Sequence, residues 1–185
     1  SFVVESNVHF PTDYNLLWDS ARKCLDVAGK FLNKYPEVPG WRKIRDWHNQ
    51  MKSMMRTVGK TSSSGGKGKE QRVKQATHAY LRKAQALLDK LEVSKTSFPI
   101  TDGADLVIML ELERFMELMN KHVDLLERRV IKGEEIPHEE KIFSIFEEYT
   151  EWITKGKLRP NVELGKKMVI TTDQYNLIVD YRVMD

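Results

Sequence analysis

The chain has 185 residues, of which 41% are hydrophobic and 31% are charged. This composition is long and apolar enough for one domain with a core or for two small units, and it excludes a wholly disordered chain. Charges interrupt every hydrophobic run before it reaches the roughly 18 residues of a membrane span, so we expect no membrane partner.

The start of the chain and its cysteine content both favour a reducing compartment. The first residues, Phe2, Val3 and Val4, are strand-like and lack the basic and apolar regions of a secretory signal. The single cysteine, Cys24, has no internal disulfide partner and lies in a helical pattern, where we expect a buried thiol. We therefore expect a cytoplasmic protein.

The formal net charge of +3 conceals two oppositely charged segments. Residues 41–95 hold 14 basic and 4 acidic side chains, a net charge of +10, whereas residues 96–155 hold 7 basic and 14 acidic ones, a net charge of −7. Such a chain can present a basic surface to a polyanion, or it can neutralise its basic block internally.

Four stretches of apolar residues at helical spacing predict long helices in the middle of the chain. The predicted helices cover about residues 14–34, 41–58, 71–92 and 104–131. Thr12 or Asp13 is expected to cap the first helix. Residues 60–69 contain no apolar side chain and are rich in Gly and Ser, so they predict a flexible basic loop.

Alternating residues predict strands at both ends of the chain. One short strand covers about residues 2–9, and residues 164–172 and 177–183 form a hairpin around a turn at 173–176. Residues 142–146 are β-branched and aromatic and predict a further strand, with a helix that begins at His138 as the alternative.

These elements together predict an α+β fold, in which a mainly α-helical bundle is inserted between the strands of a small antiparallel sheet. The sheet is assigned to residues 1–12 and 138–185. The helical insertion of about four helices is assigned to residues 13–137.

Familiar catalytic and metal-binding motifs find little support in the residues. Gly59-Lys60-Thr61 is not a P-loop, because Met54 stands where its first glycine is required. The histidines are scattered, and no pair has metal-ligand spacing. The sequence therefore predicts no catalytic and no metal-binding residue in this chain.

The basic block is the more informative feature. Its cations flank a predicted helix–loop–helix, where they could neutralise several phosphates of a nucleic acid. The alternative is a solvated pair of helices balanced by the acidic fourth helix, and the residues alone leave both open. The tryptophans Trp41 and Trp47 continue an apolar stripe, so we expect core positions rather than a base-stacking platform. The candidate DNA-binding residues of the block are Arg42, Lys43, Arg45, Lys52, Arg56, Lys60, Lys67, Lys69, Arg72 and Lys74.

The two ends of the chain carry longer motifs that resemble one known family. VVESNVHFPTDYNLLWD at residues 3–19 resembles the segment that follows the first catalytic Asp in DDE-type transposases of bacterial insertion sequences. The next strands of that family are similar to IFSIF at 142–146, TEWITKGK at 150–157, VELG at 162–165, DQY at 173–175 and YRVM at 181–184. The helical middle resembles the family only as a variable, basic insertion.

The resemblance implies a partial RNase H-like sheet and an enzyme that cuts and joins DNA by phosphoryl transfer. In the intact family enzyme, three carboxylates hold divalent metal, such as Mg, and the metal ions activate the attacking group and stabilise the leaving oxygen. Lys155 and Lys157 join the candidate DNA-binding residues on this ground. DNA at the transposon ends and a second copy of the chain are the expected partners, in a bacterial cytoplasm.

The register of the motifs places none of the three catalytic carboxylates in this chain. We therefore expect a transposase fragment that is inactive alone, with no cofactor of its own. Asp13 and Asp180 are expected to serve as an N-cap and as a surface charge on the sheet. The alternative function is a non-enzymatic helical interaction module that mediates dimerisation.

Overall fold

The computed structural model describes residues 2–5, 12–147, 149–154 and 162–184. The chain is a mixed α+β protein that divides into two compact units. The helical unit is Thr12–Lys141, and the sheet unit combines Ser1–Pro11 with Ile142–Asp185.

Four long α-helices build the helical unit, as the apolar spacing predicts. They are α1 (Asp13–Lys34), α2 (Ile44–Ser63), α3 (Lys69–Lys95) and α4 (Gly103–Leu126). A π-helical turn, Glu127–Lys132, continues α4 directly, and a short 3-10 turn, His138–Glu140, follows. Among the described helices, none has both the length and the apolar character of a membrane span.

The helices pack as an antiparallel ring in which α1 contacts α2 and α4, and α3 contacts the same two neighbours. Fully buried side chains from all four helices fill the interior, including Leu17, Met51, Tyr80 and Leu112. Each such side chain contributes about 1.5–3 kcal/mol through burial. Because α2 and α4 are diagonal in this ring, the cations of α2 do not pack against the acidic helix.

Helix α2 is longer than predicted, and this corrects the flexible loop assigned to residues 60–69. The helix continues to Ser63, so only residues 64–68 connect it to α3. The hydroxyls of Thr57, Thr61 and Ser63 donate to the carbonyl four residues earlier, at 3.0, 2.6 and 2.7 Å. These bonds satisfy the hydroxyl groups within the helix, although they do not themselves favour helix formation.

The sheet unit contains four described strands, β1 (Phe2–Glu5), β2 (Glu151–Thr154), β3 (Val162–Thr172) and β4 (Ile178–Val183). Strand β3 pairs antiparallel with each of the other three. Gly165 pairs with both Glu5 and Glu151, and Met168 pairs with both Phe2 and Val183. Strands β2 and β4 therefore follow one another along the side of β3 that β1 does not occupy.

The connection between β3 and β4 is a tight turn, close to its predicted position. Asp173 Oδ1 accepts hydrogen bonds from the amides of Tyr175 and Leu177, at 2.8 and 2.9 Å. Asn176 has a φ of 64°, in the left-handed region that asparagine tolerates better than most residues. These local bonds fix the register in which Thr172 lies opposite Ile178.

The strand predicted at residues 142–146 is wrong. These residues are bent, because Ser144 Oγ accepts hydrogen bonds from the amides of Phe146 and Glu147, at 3.2 and 3.0 Å. Ile145 is buried, so its apolar character reflects burial rather than strand pairing. The alternative helix from His138 is also wrong beyond Glu140, where the 3-10 turn ends.

Candidate nucleic-acid interface

Four cations form a single line along α2, which we call the basic stripe: Arg45, Lys52, Arg56 and Lys60. Their spacings of seven, four and four residues place them within about 80° of the helix circumference. The buried residues of this helix, Met51 and Val58, lie on the opposite side. The amphipathic pattern that buries α2 therefore also presents these cations outward.

The basic stripe has no ion pair with any residue that the structure describes. The same holds for Arg42, Lys43, Lys67 and Lys69, which flank it along the chain. All eight are exposed except Lys52, which is half-buried. A row of outward cations without carboxylates repels itself and raises the local positive potential.

The carboxylates of α4 pair with other helices instead. Glu111 accepts from Lys30 of α1 at 2.7 Å, Asp105 accepts from Lys34 at 2.7 Å, and Glu113 lies 3.3 Å from Lys95 of α3. Because α4 is diagonal to α2, the acidic helix does not neutralise the basic stripe within the described chain.

Two of the predicted DNA-binding residues serve local structure. Arg72 donates to the carbonyls of Lys67 and Gly65, at 2.6 and 2.9 Å, and thereby closes the connection between α2 and α3. Lys74 pairs with Glu70 at 2.9 Å, and its hydrogen bond holds the pKa of that carboxyl below its usual value. Since Arg72 engages carbonyl groups here, these contacts do not form an anion-binding nest.

The tryptophans beside the block are held by protein contacts. Trp41 is buried, its Nε1 donates to Ser94 Oγ at 2.9 Å, and the Lys90 ammonium lies 4.6 Å from its ring centre. Trp47 is half-buried beneath the ammonium of Lys83, at 3.5 Å. The predicted core position is confirmed for Trp41, and Lys83 covers a face of Trp47 that a base would need.

One further exposed cation lies on α3 and was missed from the sequence. Arg82 of α3 is exposed and has no ion pair among the described residues. Gln75 and His78, seven and four positions earlier on the same helical face, are also exposed. That run of polar residues without a carboxylate is the signal that could have identified it. Lys155 and Lys157 lie outside the described residues.

The expected roles of Thr12 and Asp13 need correction. Thr12 occupies the N-cap position of α1, but its side chain caps no amide, and its Oγ1 is buried without a hydrogen-bond partner among the described residues. Asp13 lies inside the helix and pairs with Arg129 at 2.6 Å. Asp180 is an exposed charge on β4, as expected, 3.7 Å from Arg182.

Two other ionisable groups are buried in the helical unit. Cys24 is fully buried, and burial raises the pKa of its thiol well above its ordinary value, so the predicted buried thiol is confirmed. Burial, with a smaller effect of Lys121, lowers the pKa of His122 to about 4, and neither ring nitrogen has a hydrogen-bond partner in the part of the chain that the structure describes. The described residues contain no group of three or more His, Cys, Asp or Glu arranged to hold a metal ion.

Asp105 is the most highly connected carboxylate of α4. It is buried and accepts hydrogen bonds from Lys34 at 2.7 Å, from Tyr35 at 2.6 Å and from the amide of Thr101 at 3.0 Å. Burial alone would raise the pKa of Asp105, but the hydrogen bonds outweigh it and hold the pKa below its usual range. This cluster joins the end of α1 to the start of α4 and is structural.

A comparison of the chain with protein-family models, with curated proteins and with solved structures found no match. The basic stripe and the cations around it are therefore assigned to a candidate nucleic-acid interface from their geometry and charge alone.

Proposed function

We propose that this chain is part of a DDE-type transposase and that its helical unit binds the DNA backbone through the basic stripe. The observation that carries the DNA contact is the line of four outward cations with no ion pair among the described residues. The motifs at both ends of the sequence support the family. The phosphoryl-transfer chemistry, its divalent metal and an RNase H-like arrangement of the sheet are proposed on the same resemblance.

The dimensions of the stripe suit a phosphate backbone. From Arg45 to Lys60 the helix rises about 22 Å, which is the axial length of about six base pairs. The helical unit buries α2 on one side and leaves the cations on the other, so binding requires no rearrangement of its core. Lysine and arginine contacts to phosphates carry no sequence information, and we expect this surface to bind duplexes of any sequence.

The experiment is a salt titration of DNA binding, followed by fluorescence anisotropy of a labelled duplex. The full chain is compared with the fourfold variant Arg45→Gln, Lys52→Gln, Arg56→Gln and Lys60→Gln. Each lost phosphate contact lowers the slope of log K against log salt by about 0.9, so we expect the slope to fall by about 3–4 and the affinity to fall at least about tenfold.

The matched control removes the same charge from cations that already have carboxylate partners. The control variant is Arg22→Gln, Lys30→Gln, Lys74→Gln and Lys132→Gln, whose native side chains lie within 3.7 Å of an Asp or Glu. We expect this variant to retain most of the affinity and slope. Equal losses in both variants, or binding of the parent chain that does not depend on salt, would contradict the proposal.

A second candidate function is a helical interaction module, favoured by the apolar residues exposed at the start of α4. Leu106, Val107 and Leu110 are 48%, 65% and 56% exposed and lie on one helical face. If this face binds a second copy, sedimentation will show self-association without DNA, and the variant Leu106→Ser with Leu110→Ser will abolish it. If the variant still self-associates, this face of α4 is not the contact between the two copies.

A further inference from the structure

Strand β4 is exposed on both of its faces. Val179, Tyr181 and Val183 point to one face and are 61%, 63% and 51% exposed, while Ile178 on the other face is 64% exposed. Strands of an antiparallel sheet usually bury one face against a core. The apolar surface that β4 exposes is therefore unusual for a strand that faces only water.

The outer edge of β4 is also unpaired within the described chain. The strand pairs with β3 along one edge, and no other described strand pairs with it. An open edge of six residues presents a row of amide and carbonyl groups that can accept another strand.

The sequence of β4 is complementary to itself when two copies run antiparallel. If the two-fold axis passes through Tyr181, Asp180 of each copy lies opposite Arg182 of the other, and Val179 lies opposite Val183. The charged pairs then lie on one face of the joined sheet, and the apolar pairs lie on the other. Asp180 and Arg182 share one face within the chain as well, since their charged atoms are 3.7 Å apart.

We propose that β4 pairs with β4 of a second copy of this chain, in the antiparallel register centred on Tyr181, and joins the two sheets edge to edge. Neighbouring symmetric registers are disfavoured by charge. A two-fold axis through Asp180 would place two aspartates opposite one another, and an axis through Arg182 would do the same with two arginines. The register centred on Tyr181 forms two attractive cross-strand pairs instead.

This contact involves the sheet unit and does not depend on the DNA-binding proposal. The paired segment is short, so we expect a weak dimer that forms in roughly the micromolar to millimolar concentration range. Such a dimer would carry two helical units, and DNA that contacts both would bind more tightly than DNA that contacts one.

The test is sedimentation velocity of the full chain, without DNA, across that concentration range. The parent chain should change from monomer to dimer as its concentration rises. The variants Asp180→Arg and Arg182→Asp each place like charges opposite one another twice, so each should raise the dissociation constant at least about tenfold. Circular dichroism establishes that both variants are folded.

The decisive sample is an equal mixture of the two variants. One copy then carries arginine at both positions and the other carries aspartate, so both cross-strand pairs are attractive again and a mixed dimer should form. As a matched control, Asp26→Arg and Arg22→Asp alter an Asp–Arg pair of α1 with the same 3.7 Å separation, in which Asp26 is exposed and Arg22 is half-buried. Each control variant alone should dimerise like the parent chain.

Three results would overturn the proposal: a parent chain that stays monomeric at every concentration, variants that dimerise as well as the parent, or a mixture that remains monomeric. A monomeric parent chain would leave the edge available to a strand of a different protein. None of these results bears on the salt-dependent DNA binding of the basic stripe, so failure of one proposal is distinguishable from failure of the other.

Discussion

On the α1–α4 side of the helical unit cations lie against carboxylates, whereas on α2 they do not. Lys30 and Lys34 bond to Glu111 and Asp105 across the packed helices, while the basic stripe has no ion pair among the described residues. The ring order of the helices causes the difference, because α4 packs on α1 and α3 but lies diagonal to α2. Pairing contributes to the fold on one side, whereas on the other side the cations point outward without a carboxylate partner among the described residues.

The largest effect is expected at Asp105, where three residues donate hydrogen bonds to one buried carboxylate. Asp105→Asn leaves Lys34 without its buried anionic acceptor and weakens the bonds from Tyr35 and Thr101, so we expect a fall of several degrees in Tm at pH 7. The exposed Asp26→Asn is the control and should change Tm little. If both substitutions lowered Tm by the same small amount, the Asp105 cluster would contribute no more to stability than an exposed ion pair does.

The same substitution has a defined pH dependence. The pKa of Asp105 is below its ordinary value of 3.8 in the folded chain, so its stabilisation is present above that value and is lost as the pH falls below it. The difference in Tm between the parent chain and Asp105→Asn should therefore shrink below about pH 4. If this difference in Tm did not vary with pH, ionisation of Asp105 would not contribute to the stability of the folded chain.

A second effect concerns His122 of α4, which is buried without a hydrogen-bond partner from any described residue. Because the pKa of His122 is lowered from 6.5 to about 4, the unfolded chain binds more protons in that range, and stability falls as the pH drops. The loss should reach about 3 kcal/mol near pH 4. Urea unfolding of His122→Leu should lack this loss and show higher stability at pH 7, whereas the exposed His78→Gln should behave like the parent chain.

A smaller effect, opposite in sign to that of Asp105→Asn, is expected on α2. Lys52, Arg56 and Lys60 form two like-charge contacts at a spacing of four residues. Arg56→Glu converts both to attractive pairs and should raise the free energy of unfolding by about 0.5–1 kcal/mol while weakening DNA binding. Thermal unfolding at low salt measures the gain. Loss of stability in this variant would mean that the stripe supports the fold.

The smallest effect is expected where a surface pair is broken on the paired side. Lys30→Gln removes the contact with Glu111, whose side chain is 34% exposed, and should cost about 0.2–1 kcal/mol. Raising the salt concentration should reduce this cost, because the pair is screened. A cost of several kcal/mol would mean that this surface pair contributes as much to stability as the buried Asp105 cluster.

The helices were predictable because each carries an apolar stripe that its neighbours bury. The end of α2 was not, since the hydroxyl-to-carbonyl bonds of Thr57, Thr61 and Ser63 leave no periodic signal in the sequence. The bend at Ser144 was missed for a similar reason, because one hydroxyl there binds two amides and displaces a strand that composition favours.

The basic block itself was visible in the sequence, but the sequence did not show which of its cations pair with carboxylates and which do not. Arg72 and Lys95 read alike as basic residues at helical positions, yet one binds loop carbonyls and the other binds carboxylates of α3 and α4. Which cation meets a carboxylate depends on the order of the helices around the ring, and that order is a tertiary property.

The central position of β3 has a consequence for how the chain acquires its structure during synthesis. Glu5 of β1 pairs with Gly165, 160 residues later, so β1 cannot find its partner until residue 165 has been made. At about 5–20 residues per second, the ribosome needs about 8–32 s to bridge that separation. The helical unit, Thr12–Lys141, can form during this interval while β1 remains available to other strands.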